Sequence, residues 1–188
     1  MNSHHAAFLQ DYIPFDASES ETKDQALLLL GQYPHSFCRT HLPGHFTASA
    51  LIVNAEKSHI LLMHHKKLNL WLQPGGHWED GETLELTARR EAFEEVGISQ
   101  LELMLSKPFD IDQHSVPAIG SESAHVHFDV RYLFVCQSQE ALTPNEESLG
   151  LRWVPILDLP GVNGYQEDSW NRLSKKLISW LAENPEID

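Results

Sequence analysis

Between Gly76 and Ile98 the chain reads GHWEDGETLELTARREAFEEVGI, and this stretch constrains fold and chemistry more tightly than any other. No Gly or Pro interrupts Leu84 to Val96, and most residues there favour a helix, so a helix is predicted. At about 100° per residue, Ala88, Ala92, Val96, Phe93 and Leu86 are expected on one broad apolar arc. Glu91, Glu94 and Glu95 fall together beside it, because residues three and four apart share a helix face. Like charges that close repel unless a cation sits among them. Arg90, four residues before Glu94, can neutralise one of the three. Oxygen-only donors of this kind suit Mg²⁺ or Mn²⁺. A solvated acidic face would explain the same run of charge. The preceding Pro74-Gly75-Gly76 favours the ion, since it brings bare backbone close to the helix start. Glu82 stands at the helix entrance.

The segment resembles the signature of the Nudix hydrolases. That signature is Gly, five residues, Glu, seven residues, Arg-Glu, an apolar residue, any residue, Glu-Glu, any residue, Gly and an apolar residue. Gly76, Glu82, Arg90, Glu91, Ala92, Glu94, Glu95, Gly97 and Ile98 fill every fixed position. The wider chain from about His45 to Leu159 is similar to a Nudix domain, and the full pattern resembles the bacterial MutT-like subgroup. The resemblance implies hydrolysis, with a divalent metal, of a diphosphate linked to another moiety, which it does not specify. It implies an α/β fold, an α/β/α sandwich around a central mixed sheet. It also implies Glu91, Glu94 and Glu95 as metal holders, joined by the carbonyl of Gly75. Glu146 and Glu147 lie where a later carboxylate of the family commonly falls, and Glu147 is carried as a catalytic candidate.

Composition agrees with a globular protein and argues against several classes. The 188 residues are 41% hydrophobic, enough for one sizeable core plus a terminal segment. A formal charge of −14, from 27 acidic against 13 basic residues, argues against binding a nucleic-acid polymer through its phosphates. A small nucleotide or diphosphate substrate stays open, because a bound metal reverses the local field. Cys38 and Cys136 make no disulfide framework. No apolar run reaches membrane-span length and no signal core opens the chain, so a cytoplasmic protein without a membrane partner is expected.

In chain order, residues 1–43 read as an N-terminal extension and 44–188 as the hydrolase domain. Ser18 or Ser20 is expected to cap a helix running over about 18–31, with Glu19 and Glu21 suiting its dipole. Phe8, Tyr12, Phe15 and the run Leu27 to Leu30 are expected to dock it, within one chain or across a homodimer. Strands are predicted at 45–53, 60–64, 70–73, 101–105, 109–111, 125–136 and 151–154, and a loop at 117–123. A last amphipathic helix is predicted over 170–181.

The segment HVHFDVRYLFVC from His125 to Cys136 carries a second constellation. Period two puts His125, His127, Asp129 and Arg131 on one face and Val126, Phe128, Val130 and Tyr132 on the other. A polar face on a central strand has to be satisfied. Substrate phosphate, held by the histidines and Arg131, would do so; a structural hydrogen-bond network or a separate Zn-like site are the alternatives. The same strand is similar to a Nudix subgroup pattern that adds Asp112 and His114. His77 is a further phosphate candidate, and Arg90 an orienter paired to Glu82 or Glu94. Trp71, Trp78, Phe109 and Tyr132 are candidate stacking surfaces. Among functions, a Nudix-fold binding or regulatory domain without catalysis is the alternative to the hydrolase. Diphosphate isomerisation lacks a convincing Cys–Glu pair.

Overall fold

The computed structural model describes residues 8–33, 35–118, 123–137, 142–162 and 167–185. The predicted 117–123 loop and the start of the N-terminal extension lie partly outside them. The strands are β1 (Gly44–Asn54), β2 (His59–His65), β3 (Leu70–Leu72), β4 (Gly75–His77), β5 (Glu102–Leu103), β6 (Asp110–Val116), β7 (His125–Cys136) and β8 (Ser148–Pro155). The helices are α1 (Ala17–Gln32), α2 (Leu84–Val96) and α3 (Glu167–Glu183), with a 3₁₀ segment at Ile156–Gly161. The hydrogen-bonded strand order is β3-β2-β1-β7-β5, with β4 on β1, β6 on β7 and β8 on β2. Two runs of four strands, β1–β4 and β5–β8, are separated and flanked by the helices α1, α2 and α3, so one sheet is built together with helices in an α/β class of fold. Among the described residues, no helix is long and apolar enough to cross a membrane.

The chain packs as two compact units, and β1, α2 and β7 each run from one into the other. The first comprises Met1–Ser49, Gly75–Ala88 and Lys107–Tyr132. In it β4 pairs antiparallel with β1, Thr47 opposite His77 and Ser49 opposite Gly75. Strand β6 pairs antiparallel with β7, Asp112 opposite Asp129 and His114 opposite His127. The bare backbone at Gly75 and Gly76 is therefore part of a short strand. A side chain at Gly75 would meet Ser49, with its Cβ 2.7 Å from the Ser49 Cβ and 2.8 Å from the Ala48 carbonyl. Only glycine lets the two strands approach so closely.

Helix α1 lies against β6 in this unit. Its cap is Asp16 rather than a serine, with Oδ1 accepting from the Glu19 amide at 2.9 Å. Glu19 does not sit at the surface serving the helix dipole. It is buried and accepts from the Tyr12 hydroxyl, the Phe15 amide and, at 3.2 Å, the Ile111 amide. The docked face is Glu19, Thr22 and Ala26, helped by Leu9 and Tyr12, whereas Leu28 is 63% exposed. The leucine run is thus not what seats the helix. Four consecutive apolar residues span more than one helical turn, so they cannot all face one neighbour.

The second unit comprises Ala50–Pro74, Arg89–Ser106 and Leu133–Asp188. Strand β2 pairs antiparallel with β3 and along most of its length with β8. Helix α3 buries Trp170, Leu173 and Leu177, and Ser174 donates to the Ile156 carbonyl at 2.8 Å. The C-terminal part of α2 is anchored by Arg89, whose Nη1 donates to the Leu101 carbonyl at 2.6 Å while its guanidinium covers the Phe134 ring.

Candidate functional site

Helix α2 has the bounds the sequence predicts, but its buried stripe differs from the expected arc. Leu84, Ala88, Ala92 and Val96 are buried at strict i+4 spacing, while Leu86 and Phe93 are exposed. Those two lie half a turn away from the stripe, which is why they cannot share it. The consequence falls on the acids. Glu95 sits angularly within the buried stripe and is 7% exposed, Glu91 lies at its edge with 14% side-chain exposure, and Glu94 stands further round at 52%. Arg90 Nη1 donates to Glu91 Oε1 at 2.9 Å and to Glu94 Oε2 at 3.3 Å. It therefore orients Glu91 as well as the expected Glu94. Glu82, in the first unit, accepts from the Thr87 hydroxyl at 2.7 Å and ties the loop to the first turn of α2. Trp78 donates its indole N–H to the Glu82 carbonyl at 2.8 Å.

Three carboxylates and one guanidinium leave a formal charge of −2 on Arg90, Glu91, Glu94 and Glu95. Turning two of the acids toward packed surface is costly without compensation. A hard divalent ion on oxygen donors supplies it, so these residues fit the group that the sequence implies. Glu147 is half exposed and lies 3.8 Å from Lys67 Nζ. Of the stacking candidates, Phe109 and Tyr132 are buried. Trp71 is sandwiched by its own chain, with His64 stacked at 4.8 Å and the Arg152 guanidinium 4.0 Å from the ring centre.

The polar face of β7 divides into two parts, both in the first unit. Arg131 is 2% exposed, and its guanidinium meets Asp110 at 3.1 Å, Asp112 at 2.8 Å and Asp129 at 3.2 Å. Asp129 also accepts from the Thr47 and Ser49 hydroxyls, each at 2.9 Å. The expectation that Arg131 and Asp129 face substrate phosphate gives way here. Arg131 bonds to Asp110 and Asp112 on β6 and to Asp129 on its own strand, Asp129 bonds to β1, and three acids around one guanidinium would repel a phosphate.

Beyond Asp129 the same face is imidazole. The registers place His45 with His77 and His114 with His125 and His127, and the ring contacts bring the two sets together on one side of the sheet. The His127 ring lies 4.8 Å from those of His45 and His125, 5.1 Å from His77 and 5.2 Å from His114. Burial, then the neighbouring histidines His114, His45, His77 and His125, push the His127 pKa down to about 2. Burial lowers His45 as well, and it lowers His114 despite the pull of Asp129 and Asp112. His114 entered the sequence reading only through the family resemblance, and His45 escaped it as a member of this group. The alternation His45, Thr47, Ser49 on an otherwise apolar strand was the available signal for His45.

The α/β arrangement carrying this acid-bearing helix has clear relatives. The model of the NUDIX domain matches residues 43–181. The chain belongs to the Nudix family. It is 31% identical over 143 residues to a Mycobacterium tuberculosis protein named "Putative 8-oxo-dGTP diphosphatase 3", a match covering 69% of this chain. The chain spans 62% of the length of that relative. Among solved structures it resembles a Caenorhabditis elegans Ap4A hydrolase, with TM-score 0.55, 21% identity and coverage of 73% of this chain and 98% of the other. It also resembles the Escherichia coli dihydroneopterin triphosphate pyrophosphohydrolase, with TM-score 0.57, 16% identity and coverage of 71% and 95%. These likenesses show the Nudix fold, with the mixed sheet and flanking helices expected from the sequence.

Proposed function

We propose that this chain is a metal-dependent pyrophosphohydrolase, with Mg²⁺ as the working ion and Mn²⁺ as a substitute. It cleaves a diphosphate linkage in a nucleoside diphosphate derivative or a nucleoside triphosphate. Water attacks phosphorus, the bridging P–O bond breaks, and the departing phosphorylated group takes the electron pair. The observation that carries this reading is the set Glu91, Glu94 and Glu95 on one helix, two of them turned to its packed side, with Arg90 among them.

Glu91, Glu94 and Glu95 would hold the ion. When bound, it offsets the charge of the diphosphate and acidifies a water molecule. Arg90 fixes the rotamers of Glu91 and Glu94, so that the carboxylates are positioned before substrate arrives. Glu82 and Thr87 keep the loop and the first turn of α2 in register. Glu147 is the candidate proton acceptor, because a carboxylate committed to a metal accepts a proton poorly. The named activities of the relatives all concern phosphoanhydrides, which supports the reaction class. A cytoplasmic location fits the composition, and a homodimer through exposed Leu28 and the half-buried leucines beside it on α1 is part of the reading.

A panel of 8-oxo-dGTP, ordinary nucleoside triphosphates, dinucleoside polyphosphates and sugar nucleotides, with products identified by mass, tests it. Mg²⁺-dependent cleavage at a phosphoanhydride is expected for at least one class. Saturable binding without cleavage by any member would favour the binding-domain alternative.

A further inference from the structure

We propose that His45, His77 and His127 form a second metal site, one that holds a divalent transition-metal ion of the zinc class. Among the described residues these three bring their ligating nitrogens within 4.8 Å of one another. Imidazole nitrogen suits Zn²⁺, Co²⁺, Ni²⁺ or Cu²⁺, whereas Mg²⁺ takes oxygen, so this site and the carboxylates of α2 select different ions.

The orientation of the rings is the second observation. His45 is 1% exposed, and its Nε2 is buried without a hydrogen-bond partner. Its Nδ1 lies 3.3 Å from the His41 carbonyl. A proton on Nδ1 donates there and leaves Nε2 a bare lone pair, the arrangement that metal-binding histidines adopt. His125 repeats the pattern beside it. Its Nδ1 lies 2.8 Å from the Ser123 carbonyl, and its Nε2 is 3.0 Å from Nε2 of His127. Two imidazole nitrogens at that separation share a proton or a cation. Tetrahedral Zn–N bonds of roughly 2.0–2.1 Å imply ligand nitrogens about 3.3 Å apart. The nitrogen separations of the triad would therefore close by at most about 1.5 Å on loading, within the reach of ring rotation.

The charge behind the rings has the right sign. Asp110, Asp112 and Asp129 around Arg131 carry a formal −2 in buried surroundings, and Asp129 and Asp112 act on His114 at the edge of the cluster. Such a field attracts a cation and repels phosphate.

The test uses tag-free, full-length protein stripped with a chelator and titrated with Co²⁺, then with Zn²⁺, in the presence of excess Mg²⁺. One equivalent of Co²⁺ should give visible d–d bands of nitrogen ligation, and Zn²⁺ should displace it and raise Tm. His77→Ala alters a half-buried residue on a short edge element and should still fold. It should weaken Co²⁺ binding by more than the roughly 10–100-fold that changes behind a metal ligand produce. His127→Ala should behave alike, and Glu95→Gln should bind Co²⁺ here as the parent does. Co²⁺ spectra unchanged in folded His77→Ala, or absent from the parent, would overturn the proposal. Loss of the bands in Glu95→Gln would also overturn it, since the ion would then belong to the α2 carboxylates. Inorganic pyrophosphate bound by metal-free parent and lost in His77→Ala would instead return the cluster to phosphate recognition.

Discussion

Replacing Arg131 separates a scaffold role from a substrate role. In Arg131→Ala, three buried carboxylates lose the guanidinium that meets each of them within 3.2 Å. Removing one partner from a buried ion pair costs about 3–5 kcal/mol, because the charges left behind stay desolvated. For a chain of this size, each 1 kcal/mol lowers Tm by about 2–4 °C, so a fall of roughly 6–20 °C is expected. The deficit should also depend on pH with a definite sign. Without Arg131 the buried acids face one another with no cation among them, and protons neutralise that charge. The gap from the parent should therefore narrow on acidification toward pH 4. Thermal unfolding of both proteins from pH 4 to 8, alongside kcat/KM measured well below either Tm, decides it. A Tm within 2 °C of the parent, combined with a large loss in kcat/KM, would refute the scaffold argument.

Gly75→Ala should lower stability by about 1–3 kcal/mol, because its Cβ would press on Ser49 and the Ala48 carbonyl; denaturant unfolding checks this. Glu19→Ala should strip an acceptor from the Ile111 amide and leave the Tyr12 hydroxyl the Phe109 carbonyl at 3.3 Å, costing about 1–3 kcal/mol in all, and should speed hydrogen exchange across α1. In chelator-treated protein the histidine cluster should make acid destabilising. Folded-state pKa values below about 6.5 mean that the unfolded chain binds more protons, so stability falls as pH drops from 6.5, by at most about 1.4 kcal/mol per unit per ring. His127→Asn should flatten that slope in urea titrations at pH 5 and 7.

Helix α2 and strand β7 were legible to the residue because each is long and uninterrupted, with a clear period in β7 and helix formers throughout α2. The acids of α2 were legible as a group, but not the direction they face, since Leu86 and Phe93 drew the apolar arc to the wrong side. Strand β4 was hidden because Gly75 and Gly76 have no strand preference, and its pairing comes from the close approach of β1. Strand β6 runs well past the expected 109–111. Its polar residues Asp112 and His114 conceal the alternation until β7 supplies their partners. Arg131 shows the same limit most sharply. Two of its three acids lie on another strand, and no local pattern announces them. The histidine cluster likewise draws on β1, β4, β6 and β7, so only register brings it together.

Glu95 joins the sequence signature to the geometry of α2, and its conversion to glutamine tests the central claim most directly. The substitution keeps side-chain size and removes one charge from the set that Arg90 only partly balances. Hydrolysis of the preferred panel substrate should be measured in saturating Mg²⁺, with circular dichroism confirming the fold. The account predicts turnover lowered by about 10²-fold or more with the helical signal intact. Near-parental turnover in folded Glu95→Gln would contradict it.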